Sequence, residues 1–166
     1  MAFVETDIQD QIMIIKLNRP DRLNALSEVI REGMSEAFTK FEKDSNLEVA
    51  ILTGEGRGFC AGEDMKESLE RGDVGSRSGK VFRDPFMERT LEKPVIGAIN
   101  GPALGGGLVM AACCDYLIGS TKAQFGLPQI WMGGLGGGGH AFRIFPQGLA
   151  RSMQYTGEYI LSLIHI

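Results

Sequence analysis

The stretch that most restricts how this chain can fold is Lys93–Asp115, KPVIGAINGPALGGGLVMAACCD. An apolar, β-branched run, Val95–Ile99, reads as a buried strand, and it halts at Asn100-Gly101-Pro102. The glycine triplet Gly105–Gly107 then opens an apolar helix, read over Gly106–Cys113. A strand, a sharp turn and a helix starting on glycine leave unpaired backbone N–H groups at the turn, where they can face developing negative charge on an oxygen. Gly54–Glu63, GEGRGFCAGE, is a second glycine-rich loop of the same character. Two loops that each offer one N–H to the same oxygen point to chemistry on a carbonyl compound. Of the 166 residues, 23 are glycine, about twice the usual share of ~7%, and they cluster in loops rather than repeats. That distribution suits sites built from backbone.

Further elements follow from patterning. Phe3–Asp7 and Ile12–Leu17 read as paired strands around a polar turn at Gln9-Asp10. Ser27 is a candidate N-cap for a helix running to about Asp44, with Ile30, Met34, Ala37, Phe38 and Phe41 on one face. Val49–Thr53, Tyr116–Gly119 and Ala123–Phe125 read as strands. Asp64–Glu70, Phe82–Glu92 and Leu149–Tyr155 read as helices, Pro85 being tolerable near a helix start. Gly72–Lys80 and Gly133–Gly139 read as mobile loops. Alternating apolar strands and helices imply an α/β domain with parallel strands.

KPVIGAINGPALGGG, FCAGEDMK (Phe59–Lys66), NRPDRLNAL (Asn18–Leu26) and AQFGLPQI (Ala123–Ile130) together resemble the crotonase family, best known for enoyl-CoA hydratases and isomerases. The order and spacing match from about Ile12 to Tyr159. The resemblance implies a spiral of repeated ββα units, incomplete at the C-terminus, because family members continue through further helices. Residues 1–160 are then expected to be a crotonase-like core fragment. The last six residues, LSLIHI, match what a sequencing-library adapter encodes, so 161–166 is expected to be an appended tail; a genuine apolar strand is the alternative.

The resemblance also assigns roles. The backbone N–H groups of Glu63 and Gly106 form an oxyanion hole for a thioester oxygen. Coenzyme A lies along the segment matching Cys60, Ala61, Gly62 and Glu63, with Arg22 and Lys66 as basic rim candidates and Gly105 beside them. Asp64 belongs to the same segment, where its carboxylate is expected to cap the following helix. Hydratases of the family carry one glutamate two residues past the glycine triplet and another in the segment matching Leu127–Ile130. Here those positions hold Val109 and Gln129, and neither side chain exchanges a proton near neutral pH. Val109 is left to line the core or an acyl pocket, and Gln129 to orient substrate or water. His140, expected to begin a helix whose dipole favours the neutral ring, is a candidate replacement group or a structural histidine. Trp131 either walls the acyl pocket or packs the core. Glu63 as a general base and Asp115 as a backbone anchor complete the set.

Two function classes therefore remain. One is an acyl-CoA enzyme that stabilises a thioester enolate or oxyanion, serving isomerisation, thioester hydrolysis or C–C cleavage. The other is a non-catalytic acyl-CoA-binding paralogue or interaction subunit. A nicotinamide enzyme is disfavoured, because GPALGGG lacks the dinucleotide spacing and the acidic residue after it. GGLGGGG lacks the Lys-Ser/Thr of a phosphate-binding loop. The net charge of −4 gives no footprint for nucleic acid. Cys60, Cys113 and Cys114 lack metal-ligand spacing, so no metal is expected and reduced thiols suit a cytoplasmic setting. No apolar run approaches the roughly 20 residues of a membrane span. No cofactor is expected beyond the coenzyme A of the substrate, and the family resemblance implies a homotrimer or hexamer.

Overall fold

The structure, a computed structural model, describes residues 2–72 and 84–162. Hydrophobic alternation sets the first layer. Strand β1 (Val4–Gln9) pairs antiparallel with β2 (Ile12–Leu17), and Met13, Ile15 and Leu17 point into the core. Helix α1 (Glu28–Lys43) starts where expected, with Ser27 Oγ accepting from the Ile30 N–H at 3.3 Å. Its buried face is Ile30, Met34, Ala37, Phe38 and Phe41, the stripe read from the sequence. Strand β3 (Val49–Gly54) then lies parallel to β2.

From β3 onward the chain winds in repeating turns. After β3, Cys60 makes a parallel bridge to Ala103, and α2 (Met65–Arg71) follows. The next turn runs β4 (Val95–Ile99), β5 (Pro102–Leu104) and α3 (Gly106–Ala111). The third runs β6 (Tyr116–Gly119), β7 (Gln124–Gly126) and a 3-10 turn at Pro128–Met132. Each turn leaves one strand in a five-stranded sheet ordered β1-β2-β3-β4-β6. Its second strand stacks in a smaller layer where β5 and β7 pair in parallel. Helices α4 (Gly138–Ala141) and α5 (Gln147–Thr156) close the order, and β8 (Ile160–Leu161) pairs antiparallel with β7. This is the expected α/β spiral of ββα units.

Two differences have local causes. The expected helix over 82–92 does not form across its described part, 84–92. Asp84 Oδ1 instead accepts from the Phe86 and Met87 N–H groups at 3.0 and 3.3 Å, and Arg89 adopts φ +58°, which ends the turn. Strand β5, only three residues long, was hidden in the turn sequence NGPALG. Leu161 pairs with Gln124, and the Ser162 N–H donates to Ala123 O at 3.1 Å, so the first residues of LSLIHI extend the small sheet. Most of Gly72–Lys80, from residue 73 on, and residues 163–166 fall outside the described residues.

Asn24 stitches the motif loops together. It is fully buried, sits at φ +55°, and its Nδ2 lies 3.0, 2.9 and 3.2 Å from the carbonyls of Glu55, Gly58 and Phe59. Its Oδ1 accepts from the Arg19 N–H at 2.8 Å. Asn24→Ala leaves these groups unpaired and should lower stability by about 2–3 kcal/mol, visible as a lower denaturant midpoint with unchanged slope.

Candidate active site

The two glycine-rich loops meet. A Cβ built on Gly62 would lie 3.1 Å from the Gly106 nitrogen, and one built on Gly106 would lie 3.8 Å from the Glu63 nitrogen. Gly62 adopts φ +92°, and any side chain there would reach within 2.7 Å of Leu104 O. Glycine is therefore required on both counts.

The peptide joining Gly62 to Glu63 is clamped by its carbonyl. Gly62 O accepts from the Leu26 N–H at 2.7 Å, within a parallel bridge between Leu26 and Glu63. In a trans peptide the N–H points opposite to the C=O, so the Glu63 N–H turns away from Leu26. Gly106 is the first residue of α3, whose N–H has no intrahelical acceptor. Among the described residues neither N–H finds a protein acceptor.

Gln129 and Val109 flank this amide pair. A Cβ on Gly105 would sit 3.7–3.9 Å from the Gln129 side-chain amide. A Cβ on Gly137 would sit 3.3 Å from Val109 Cγ2 and 3.8 Å from Gln129 Nε2. Gln129 Nε2 donates to Gly136 O at 3.3 Å, while its buried Oε1 has no partner among the described residues. The structure thus brings Cys60, Ala61, Gly62, Glu63, Gly105, Gly106, Val109 and Gln129 into one neighbourhood.

The charged candidates behave differently. Glu63 turns its carboxylate to Arg31 on α1, and Asp64 caps α2, accepting from the Lys66 and Glu67 N–H groups at 3.1 and 3.2 Å. Burial opposes the ionisation of Asp64, but the Arg19 guanidinium and the two helix amides outweigh it and hold its carboxyl below the ordinary range. A depressed native pKa contributes stability above the unfolded value of about 3.9 and loses it as pH falls through the native one. Asp64→Asn should therefore flatten the fall in stability below about pH 4, read from melting temperatures along an acid series. Burial pushes the Cys60 thiol up to about 12, so it stays neutral at physiological pH. Asp115 Oδ2 accepts from the Val95 N–H at 2.8 Å, the backbone anchoring expected of it.

Arg22 and Lys66 are exposed, at the ends of the two segments joined by the Ala61 N–H to Leu23 O bond of 2.9 Å. Trp131 is 63% exposed and donates to Thr156 O at 2.9 Å, with Tyr159 against its ring. His140 is the third residue of the four-residue α4, in its last turn, so the dipole argument for a neutral ring does not apply. Arg19, Asn24, Arg31 and Asn100 were not singled out by the sequence, though all four bond to residues of the site loops. Asn100 Nδ2 donates to Gly56 O at 3.0 Å. For Arg19, Asn24 and Asn100 a polar residue inside a motif segment is the only sequence signal, and Arg31, on α1, has none.

Comparison with known proteins gives the same picture. The chain is 35% identical over 161 residues to the crotonyl-CoA hydratase of Syntrophomonas wolfei, covering 92% of this chain and 61% of that protein. It is 36% identical to the (E)-benzylidenesuccinyl-CoA hydratase of Thauera aromatica, over 95% and 63% of the two chains. The crystal structure of an enoyl-CoA hydratase from Mycobacterium tuberculosis H37Rv superposes with a TM-score of 0.85 at 33% identity, covering 98% of this chain and 64% of that one. A carnitinyl-CoA dehydratase from Mycobacterium avium gives 0.86 at 28% identity. The chain spans about three fifths of the length of these curated relatives. The profile described as enoyl-CoA hydratase/isomerase matches residues 7–162. With the spiral and the paired loops already in place, that match settles the kinship: the chain belongs to the enoyl-CoA hydratase/isomerase family.

Proposed function

We propose that this chain binds an acyl-CoA thioester and stabilises the charge that develops on the thioester oxygen, as enolate or oxyanion, with the N–H groups of Glu63 and Gly106. The observation that carries the reading is the adjacency of two fixed amides without protein acceptors. Such donors act where charge grows, and losing one costs about 3–4 kcal/mol of transition-state stabilisation. The relatives named above are hydratases and a dehydratase of CoA thioesters, which favours the same substrate class here. Arg22 and Lys66 are placed to meet coenzyme A phosphates, with backbone from Cys60 to Glu63 along the cofactor's length. Val109 offers apolar surface to the acyl chain, and Gln129 Oε1 offers an acceptor. Trp131 and His140 keep roles at the margin of the acyl site in this reading. A homotrimer or hexamer in a cytoplasmic setting completes it.

A specific observation favours a second reading. Val109 and Gln129 stand at the two positions where the family resemblance places the hydratase glutamates, and neither moves a proton. A silent acyl-CoA-binding paralogue or interaction subunit would look the same. Titration of the chain with crotonyl-CoA, followed by turnover over an acyl-CoA panel, separates the two. Gly106→Val fills the space beside the Glu63 nitrogen. It should reduce any turnover by about 10²–10³-fold, the effect of one lost donor. Turnover abolished by this variant retires the silent reading. Tight binding with no turnover across the panel favours it. Failure to bind any acyl-CoA overturns both.

A further inference from the structure

The amide pair is built from backbone, yet one of its residues carries a side chain held by charge. The Glu63 carboxylate accepts from Arg31 Nη2 on α1, and from Ser68 Oγ at 3.4 Å and Arg71 Nη2 at 3.5 Å on α2. The two helices are tied once more beside it. Glu67 presents both carboxylate oxygens to the Glu28 N–H, the first of α1, at 3.2 Å, and Arg71 Nη1 lies 3.4 Å from Glu67. The Arg31 and Glu63 side chains are 36% and 33% exposed. A pair that exposed contributes little to stability, so stability is a poor account of what it does.

Its position gives a better one. The Glu63 N–H lies in the Gly62–Glu63 peptide plane, which can rock about its Cα–Cα axis by opposed changes of the Gly62 ψ and the Glu63 φ. Leu26 restrains one edge of that plane, through Gly62 O. Arg31 fixes the residue on the far side of that plane, through Cβ and the carboxylate. Both anchors come from one continuous segment, the loop ending at Leu26 and the first turn of α1. We propose that Arg31 is a positioning residue, holding the Glu63 N–H in line with the Gly106 N–H so that both reach one thioester oxygen. It touches no substrate atom; it acts through Glu63. The role rests on the oxyanion reading above. Small misplacements of such donors are costly, because their effect depends on preorganised geometry.

The test reads the donors directly. Butyryl-CoA labelled with ¹³C at the thioester carbonyl is bound to the chain, and its carbonyl band is recorded by isotope-edited infrared difference. In the wild type the band moves to lower wavenumber than free thioester, because two N–H groups polarise it. Arg31→Met keeps the aliphatic stem. It should return the band toward the free position while affinity and melting temperature change little, and Arg31→Lys should restore part of the shift. Raising salt toward 1 M, where the screening length is about 3 Å, should erode the wild-type shift in the same direction. A purely structural ion pair would move none of these bands. An Arg31→Met band coincident with the wild type overturns the positioning role and leaves the amide-pair reading intact. A wild-type band already at the free position overturns the amide-pair reading, and the positioning role with it. Should Arg31→Met not fold, Glu63→Gln carries the test, since it keeps an acceptor for Arg31 without the charge. Partial loss of its shift supports the role, and an unchanged shift overturns it.

Discussion

Gly107→Ala should cost this chain more stability than any other single methyl group added at the site. A Cβ there would lie 2.1 Å from Cys60 O and 2.9 Å from Cys60 C, both backbone atoms. No rotamer relieves that contact, so α3 and the Cys60 strand must separate. Separation breaks the bond from the Leu104 N–H to Cys60 O, 2.9 Å in the native chain, and strains the bridge between Cys60 and Ala103. Overpacking of side chains usually costs about 1–3 kcal/mol; a backbone collision that also breaks a strand pairing should exceed that, reaching about 4 kcal/mol or more. Equilibrium denaturation checks it. A loss under about 1 kcal/mol would mean that the loops approach less closely than described. The variant should lose acyl-CoA binding together with stability, because the same contact brings Glu63 beside Gly106.

Restoring acid–base groups should produce the largest gain in activity. Val109→Glu with Gln129→Glu places two carboxyl groups beside the amide pair. They stand on either side of Gly137, whose hypothetical Cβ is 3.3 Å from Val109 Cγ2 and 3.8 Å from Gln129 Nε2. Two carboxyls this close cannot both ionise freely, so one pKa rises and the other stays low. That difference supplies an acid and a base near neutral pH. Positioned acid–base groups are worth about 10²–10⁴ in rate, and the double variant should hydrate crotonyl-CoA faster than the parent by a factor of that order. Loss of the conjugated enoyl-thioester absorbance, with hydroxyacyl-CoA as product, measures it. Each single variant should fall well short, since the base must act on the attacking water and the acid on the α-carbon, two different places. Retained crotonyl-CoA binding without any gain would show that something beyond these two side chains separates the chain from a hydratase.

Legibility of the fold followed the length of its periodic signals. The α1 stripe from Ile30 to Phe41, and the alternation of Met13, Ile15 and Leu17, are repeated patterns that tertiary packing reinforces. The segment around Asp84 and Pro85 misled because its helix-like composition competes with a local cap and with the left-handed Arg89. Strand β5 is three residues in a glycine-rich turn, and only its partner β7, 22 positions on in register, makes it a strand. The meeting of Gly62 with Gly106 was expected from motif order, and the spiral, with its Cys60–Ala103 bridge, is what carries it out. What the sequence did not reveal were the side chains that hold the loops still. Asn24 and Arg31 look like ordinary polar residues until the acceptors of the Asn24 amide and the Arg31 guanidinium, 31 or more positions away, are known.

The clamp on Gly62 gives one peptide unit two duties. Its oxygen belongs to the architecture, bound to Leu26, while its nitrogen is the group we propose meets the thioester oxygen. Both duties are written in backbone atoms, and the Glu63 side chain bears on them only through its tie to Arg31. Positions 109 and 129 are the reverse in the proposed reading, where the side chain itself sets the chemistry. A lineage built on such a peptide can change its reaction by altering two neighbours while the part that senses the carbonyl is inherited unchanged. Divergence of activity then requires no intermediate that has forgotten how to fold.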